Sequence, residues 1–491
     1  MKRARCRSDG QKAQVGLHLT IMSLIAAILV VGSVSQIACI SRPASEPRTT
    51  GHSQQPPVVS AASPESAALA NRFGPSMPHL LPASVSLAWQ ILPGVAFSSR
   101  ERVGLVYALS IIPPSAAHEP ADLQSVNEMA EAFTAGWLNA RDDLPPRSRR
   151  SVWCEITVRA AALTGNWQRN PDHVPIGLLV PEAALRGEPC ELVLFLHGFE
   201  GDPSQLFNRP PYALREVIDG LNEHRERPWL VAVPGDRSQL GGGFYVNSQA
   251  SGYWEDFITL ELIPALELAF PIDPDPECRI IAGHSMGGFG AFYLGLRHPQ
   301  MFGRIGCLSG MVTIDAASTT VWRGATRSGG LRAPADQLLH LRGREHFWTR
   351  LLWAMSAAFT PEPASPPLFG QRFYSADTGT GEFSADIPLT WCAFDLMEMI
   401  PDYAESLARC QGLYISGGAR DSYFTIAMLD DVERALRAAA TPARWTVVRH
   451  DGGHMDRLRN DVAAMLGWLE QTAPPPARPA AGSKVVWGEP C

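Results

Sequence analysis

Residues 279–296 read Arg279-Ile-Ile-Ala-Gly283-His-Ser285-Met-Gly287-Gly288-Phe-Gly-Ala-Phe-Tyr-Leu-Gly-Leu296. A short apolar run ends in Gly-x-Ser-x-Gly and passes directly into the apolar spacing of a helix. This is the strand–turn–helix setting in which a serine stands at the apex of a sharp turn, its hydroxyl exposed at the carboxyl end of a strand. Gly283 and Gly287 allow the tight turn and the close approach of helix to strand. If Ser285 is a nucleophile, its partners should follow it in the chain, at the ends of later strands.

The flanking sequence supplies such strands. Segments 152–160 and 174–180 read as two opening strands, and 192–196 as a short, wholly apolar one ending at His197-Gly198. Segment 229–233 is another, ending at Pro234-Gly235. Helical spacing covers 254–270, then the strand 279–282 enters the turn, and 304–308 gives the next strand. Strands at 413–416 and 445–448, with helices at 424–438 and 456–470, complete the alternation. That order implies a mostly parallel sheet covered by helices on both faces. Ligands in such sheets bind beyond the carboxyl ends of the strands. The alternation is interrupted by an insertion, residues 311–409, before the strand that leads to Asp421. Within it, 337–358 is an apolar helical stretch with Trp348 and Trp353, and 391–407 is helical with a break at Pro401. Its place beside the strand ends makes it a lid or pocket wall, the alternative being a surface elaboration.

A serine hydroxyl needs a base to take its proton, and the base needs a carboxylate to hold its tautomer. The strand at 413–416 runs into Gly417-Gly-Ala-Arg-Asp421, and the strand at 445–448 runs into Arg449-His-Asp-Gly-Gly-His454. Asp421 is therefore the expected acid and His454 the expected base. His450 and Asp451 lie too early in their turn, Asp430 and Asp431 belong to a helix surface, and Asp395 lies in the insertion. A tetrahedral intermediate also requires two fixed N–H donors. The residue after the serine, Met286, offers one. The loop His197-Gly-Phe-Glu-Gly-Asp202 offers the other at Phe199. His197 is expected to support that loop, and His284 has no expected chemical part.

Taken together, Leu194-Phe-Leu-His-Gly-Phe-Glu-Gly-Asp202, Gly243-Phe-Tyr-Val-Asn-Ser248, Tyr253-Trp-Glu-Asp-Phe-Ile258, the turn around Ser285 and Gly452-Gly-His454 resemble one esterase family of α/β-hydrolases. It contains S-formylglutathione hydrolases, feruloyl esterases, enterochelin esterases and mycolyltransferases. The resemblance spans residues 151–471 apart from the insertion. It implies the α/β-hydrolase fold, a triad of Ser285, Asp421 and His454, and an oxyanion hole made by the Phe199 and Met286 N–H groups. It further implies that Tyr245, Asn247 and Trp254 lie near the substrate pocket, and that no metal or organic cofactor is needed. The expected reaction is cleavage of a carboxylic ester through an acyl-enzyme. Transfer of the acyl group to a sugar or lipid alcohol is the alternative, and a non-catalytic scaffold is disfavoured because all five elements are present. A prolyl-oligopeptidase-type peptidase shares the order of the triad, but residues 1–150 are too short for its propeller.

Composition agrees with a globular enzyme. Hydrophobic residues make up 45% and charged residues 19% of 491, enough apolar surface for a large core. The net charge is −7, and five cations (Lys2, Arg3, Arg5, Arg7 and Lys12) precede the first apolar run, so the body is more acidic still. That argues against a nucleic-acid partner. Cations followed by the apolar run at 15–40 have the layout of a secretory signal or an amino-terminal anchor, placing the body outside the cytoplasm. Residues 1–40 are thus read as a cleaved signal, a retained anchor, or a lipoprotein signal ending at Cys39. Residues 41–82 read as a Pro/Ser/Ala-rich linker, 83–150 as an accessory extension with a strand at 103–112 and a helix at 121–140, and 472–491 as a disordered tail. No cysteine pair has zinc-ligand spacing. One or two disulfides, or buried thiols, suit the remaining cysteines equally.

Overall fold

The computed structural model describes residues 123–142 and 151–472, with short breaks within 329–345 and 373–388 and at 424–425 and 440–442. The expected apolar run at 15–40, linker at 41–82, strand at 103–112 and tail after 472 lie outside the described residues. Among the described residues, no helix is long and apolar enough to cross a membrane.

Eight strands form one sheet: β1 (Val152–Arg159), β2 (His173–Val180), β3 (Glu191–Leu196), β4 (Trp229–Pro234), β5 (Arg279–His284), β6 (Arg304–Leu308), β7 (Gly412–Gly418) and β8 (Trp445–His450). Their spatial order is β1-β2-β4-β3-β5-β6-β7-β8. β2 runs antiparallel to both β1 and β4, and every pairing from β4 to β8 is parallel. This is the α/β-hydrolase sheet. The parallel strands are short apolar runs because both faces are covered. Val193 and Phe195 of β3 face the helices α2 (Leu214–Asn222) and α7 (Leu458–Glu470), whereas Leu192, Leu194 and Leu196 join the opposite core. Parallel pairing also brings the carboxyl ends of β3, β5, β6, β7 and β8 to one edge, where all the chemistry-bearing turns begin.

The amino-terminal helix α1 (Leu123–Asp142) shows the expected periodicity. Val126, Met129, Ala130 and Phe133 are buried at i, i+3, i+4 and i+7, and the helix packs on β1 and on the helix Ile263–Ala269. It is therefore part of the core. The helical stretch 254–269 contains a wide turn at Phe257–Leu262 that the apolar spacing did not betray.

The insertion between β6 and β7 is mostly helical: α4 (Ile314–Arg327), α5 (Phe347–Phe359), α6 (Leu396–Asp402) and Ala404–Arg409. The helix α5 begins ten residues later than its apolar pattern suggested, and Pro401 lies within α6 with the chain turning at Tyr403. From Thr349 to Phe359 every side chain of α5 is buried. Phe359 stacks on Phe394 at 4.7 Å and packs against Phe244 and Phe289. Leu352, Trp353, Met355 and Phe359 each contribute about 2 kcal/mol by burial. Swinging α5 away would therefore cost about as much as the whole stability of a typical domain. The helix α5 is therefore part of the core. The described Cys154, Cys190, Cys278, Cys307 and Cys410 are thiols rather than disulfide partners. Burial pushes Cys307 and Cys410 up to about 12, so they stay protonated.

Candidate active site

The turn after β5 is built by contacts that no side chain could share. A Cβ on Gly287 would stand 1.9 Å from the Leu196 carbonyl oxygen, so the first turn of α3 (Met286–Arg297) sits directly on the end of β3. Ser285 takes φ 59° and ψ −119° as the residue preceding α3. Such a conformation costs about 1–3 kcal/mol in a residue with a side chain. It is held by the Ser285 N–H donating to Leu308 O at 2.9 Å and by Ser285 O accepting from Phe289 N–H at 3.0 Å.

The loop after β3 passes over this turn. A Cβ on Gly198 would lie 3.2 Å from the Ser285 Cβ, so a glycine is needed for the approach. Beyond it, the Glu200 N–H donates to Gly241 O and the Gly201 N–H to Gly198 O. Phe199 lies between Gly198 and these anchored residues. Met286 opens α3, so its N–H is one of the helix's four leading donors without an intrahelical acceptor. Beneath the loop, His197 is fully buried. Its Nδ1–H donates to Gly198 O at 2.7 Å and its Nε2 accepts from the Asp236 N–H at 2.8 Å. Burial lowers its pKa, so the ring is neutral and both nitrogens are engaged. His197 is thereby a support of the loop and cannot serve as a base.

Tyr245, Asn247 and Trp254 are each engaged by neighbouring groups. Tyr245 is 0% exposed, and its hydroxyl donates to His197 O at 3.0 Å. Trp254 is 3% exposed and packs edge-on to Tyr245 at 6.0 Å. Asn247 exchanges two hydrogen bonds with Asp256, at 2.8 and 3.1 Å. Tyr245 thereby holds the base of the loop after β3.

On the other side, Asp421 follows β7 and His454 follows β8. His454 Nδ1 lies 2.8 Å from Asp421 Oδ2. The carboxylate accepts the Nδ1 proton, which leaves Nε2 as the nitrogen able to take up a proton. The other carboxylate oxygen, Oδ1, accepts from the Tyr423 N–H at 2.8 Å. Both side chains are nearly enclosed, at 10% exposure for His454 and 1% for Asp421. The rival groups are committed elsewhere: His450 Nε2 lies 3.1 Å from Asp461, and Asp395 caps α6 and accepts from the Ile314 N–H.

His284 is the functional residue the sequence reading missed. Its Nε2 lies 2.7 Å from the backbone oxygen of His454, and the two rings are 4.7 Å apart. Burial, and then the neighbouring His454, lower its pKa to about 3. The ring is consequently neutral, and Nε2 must carry the proton it donates to that carbonyl. One side chain, adjacent to Ser285 in sequence, thus ties the His454 turn to the serine turn. The only signal for it was its position between Gly283 and Ser285, inside the turn itself.

Residues 169–365 match the family model described as "Putative esterase". The uncharacterized protein YbbA of Bacillus subtilis is 31% identical over 105 residues, which cover 21% of this chain and 40% of YbbA's length. Among solved structures, a ferulic acid esterase aligns at 18% identity and TM-score 0.44, covering 67% of this chain and 100% of its own. An S-formylglutathione hydrolase from Agrobacterium tumefaciens aligns at 17% identity and TM-score 0.44, covering 68% of this chain and 99% of its own.

Because His284 is neutral when folded and titrates near 6.5 when unfolded, the unfolded chain binds the extra proton. Its burial therefore costs nothing above pH 6.5 and increasingly destabilises the fold as pH falls from 6.5 towards 3. Urea unfolding of His284→Asn should show a shallower loss of stability across that window than the native chain. An unchanged acid slope would contradict the neutral, buried assignment.

Proposed function

We propose that the chain is a serine esterase that cleaves a carboxylic ester through an acyl-enzyme on Ser285. The observation that carries this reading is the 2.8 Å Asp421–His454 hydrogen bond, joined to the serine turn by the His284 bond to the His454 carbonyl. A carboxylate, an imidazole and a serine are thereby held at neighbouring strand ends in the order the chemistry requires.

In the first half-reaction, His454 Nε2 takes the Ser285 hydroxyl proton as Oγ attacks the ester carbonyl carbon. The carbonyl oxygen becomes an oxyanion, for which the Phe199 and Met286 N–H groups are the donors at hand. Collapse of this intermediate breaks the bond to the alcohol oxygen, and His454 returns the proton to that leaving group. In the second half-reaction, water loses a proton to His454 and attacks the acyl carbon. The second oxyanion collapses to expel Ser285 Oγ, which recovers its proton from His454, and the acid leaves. Asp421 stays ionised throughout. It orients the imidazole and stabilises the imidazolium. The match of residues 169–365 to the esterase family model supports an ester as the bond cleaved.

The extracytoplasmic location proposed for this activity rests on the cations and apolar run of residues 1–40. Mass spectrometry of the mature amino terminus distinguishes its forms: lipidated Cys39, a cleaved signal or a retained anchor. A full-length chain recovered from the cytosol would contradict all three. For the reaction itself, hydrolysis of short p-nitrophenyl esters should fall about a thousandfold or more in Ser285→Ala and in His454→Ala, with the fold retained. Asp421→Asn should lose a comparable factor in kcat at little change in KM. Undiminished turnover in Ser285→Ala would refute the mechanism. A panel of short acyl, feruloyl, acetyl-sugar and thioester substrates then identifies the acyl and alcohol groups.

A further inference from the structure

The groups assigned to the reaction share a set of aromatic neighbours, and two of those neighbours come from the insertion. The helix α5 opens with Phe347 and Trp348. Phe347 stands edge-on to Phe199, at 5.5 Å and 82°, and edge-on to Tyr423, at 5.6 Å and 80°. Trp348 lies over Tyr423 at 5.0 Å and 31°. Tyr423 in turn lies over the imidazole of His454, with ring centroids 4.3 Å apart and planes 33° from parallel. The backbone N–H of the same tyrosine occupies Oδ1 of Asp421. One turn further along α5, the almost fully buried Arg350 pairs with Glu200, the residue after Phe199. The start of α5 therefore touches the loop after β3 directly and reaches the Asp421–His454 pair through Tyr423.

The bond from Asp421 to Nδ1 restrains one edge of the His454 ring. Rotation about the Nδ1–Oδ2 line would carry Nε2 through an arc. A ring lying against the imidazole at 4.3 Å opposes that motion, because dispersion and quadrupole contacts between aromatic rings are lost within a fraction of an ångström. Tyr423 is itself pinned between Phe347 and Trp348. These two belong to a helix that cannot leave the core.

We propose that Tyr423 is a positioning residue for the His454 imidazole and that the insertion, through Phe347 and Trp348, acts on the reaction by fixing the orientation of the base. This rests on the reading of His454 as the base. Transfer to and from Nε2 requires the ring within about 0.5 Å and 10–20° of its productive placement, and a 1 Å error costs about a hundredfold. The relevant group is the aromatic ring rather than the hydroxyl.

The test compares kcat and KM on one p-nitrophenyl ester for the full chain and four variants. Tyr423→Phe keeps the ring and should hold kcat within about threefold. Tyr423→Leu should lower kcat by about ten- to a hundredfold with KM nearly unchanged. Trp348→Leu, which loosens Tyr423 without touching Asp421, should lower kcat severalfold. The double variant Tyr423→Leu/Trp348→Leu should be no slower than Tyr423→Leu alone, because both changes act through one ring. The low-field proton resonance of the His454 Nδ1–H should persist in Tyr423→Phe and broaden in Tyr423→Leu.

Retention of kcat in Tyr423→Leu, an equal loss in Tyr423→Phe, or a change confined to KM would each overturn the proposal. Should Tyr423→Leu not fold, Trp348→Leu decides alone: kcat falls at constant KM, or the proposal is wrong. The serine control separates the two levels. Activity that survives Ser285→Ala sinks the esterase reading, whereas activity lost in Ser285→Ala but kept in Tyr423→Leu sinks only this inference.

Discussion

The contact between Gly287 and the Leu196 carbonyl sets the geometry of everything at the carboxyl edge of the sheet. With no room for a Cβ, the first turn of α3 rests on the end of β3, and Ser285 is forced into a left-handed conformation at the junction. Two backbone hydrogen bonds, to Leu308 and from Phe289, hold it there. The same closeness turns the side chain of His284 away from the strand–helix seam and towards the His454 turn. It also brings Gly198 against the serine, which fixes the path of the loop carrying Phe199. A single steric constraint thus correlates the positions of Ser285, the His454 turn and the loop carrying Phe199.

Much of this was legible in the sequence, for physical reasons. Parallel strands buried on both faces leave short apolar runs, and glycine is the residue that permits positive φ and close approach. The turn at Ser285, the eight-strand alternation, and the pairing of Asp421 with His454 could therefore be anticipated. The helix α1 was visible through Val126, Met129, Ala130 and Phe133, whose spacing places them on one face. Two matters were not legible. Burial of a polar aromatic depends on what packs over it, so the enclosure of Tyr245 and Trp254 gave no signal in the sequence. His284 gives no periodic or compositional signal, because its effect comes from a contact 170 positions away in the chain.

The insertion illustrates the same limit. Its apolar helical stretch suggested a cover over the strand ends, but hydrophobicity alone does not distinguish a cover that opens from a wall that cannot. The contacts of Phe359 with Phe244, Phe289 and Phe394 make that distinction. The start of this helix places Phe347 and Trp348 against Tyr423 and an ion pair from Arg350 to Glu200 beside Phe199.

The central claim is that Ser285 becomes covalently acylated during turnover. The most direct measurement is to quench the native chain during reaction with a slowly hydrolysed ester and to locate the added mass by peptide mapping. The account predicts one acyl increment, on the peptide containing Ser285, that decays as product acid appears. Turnover with no increment at any time, or with the acyl group on another residue, would contradict it.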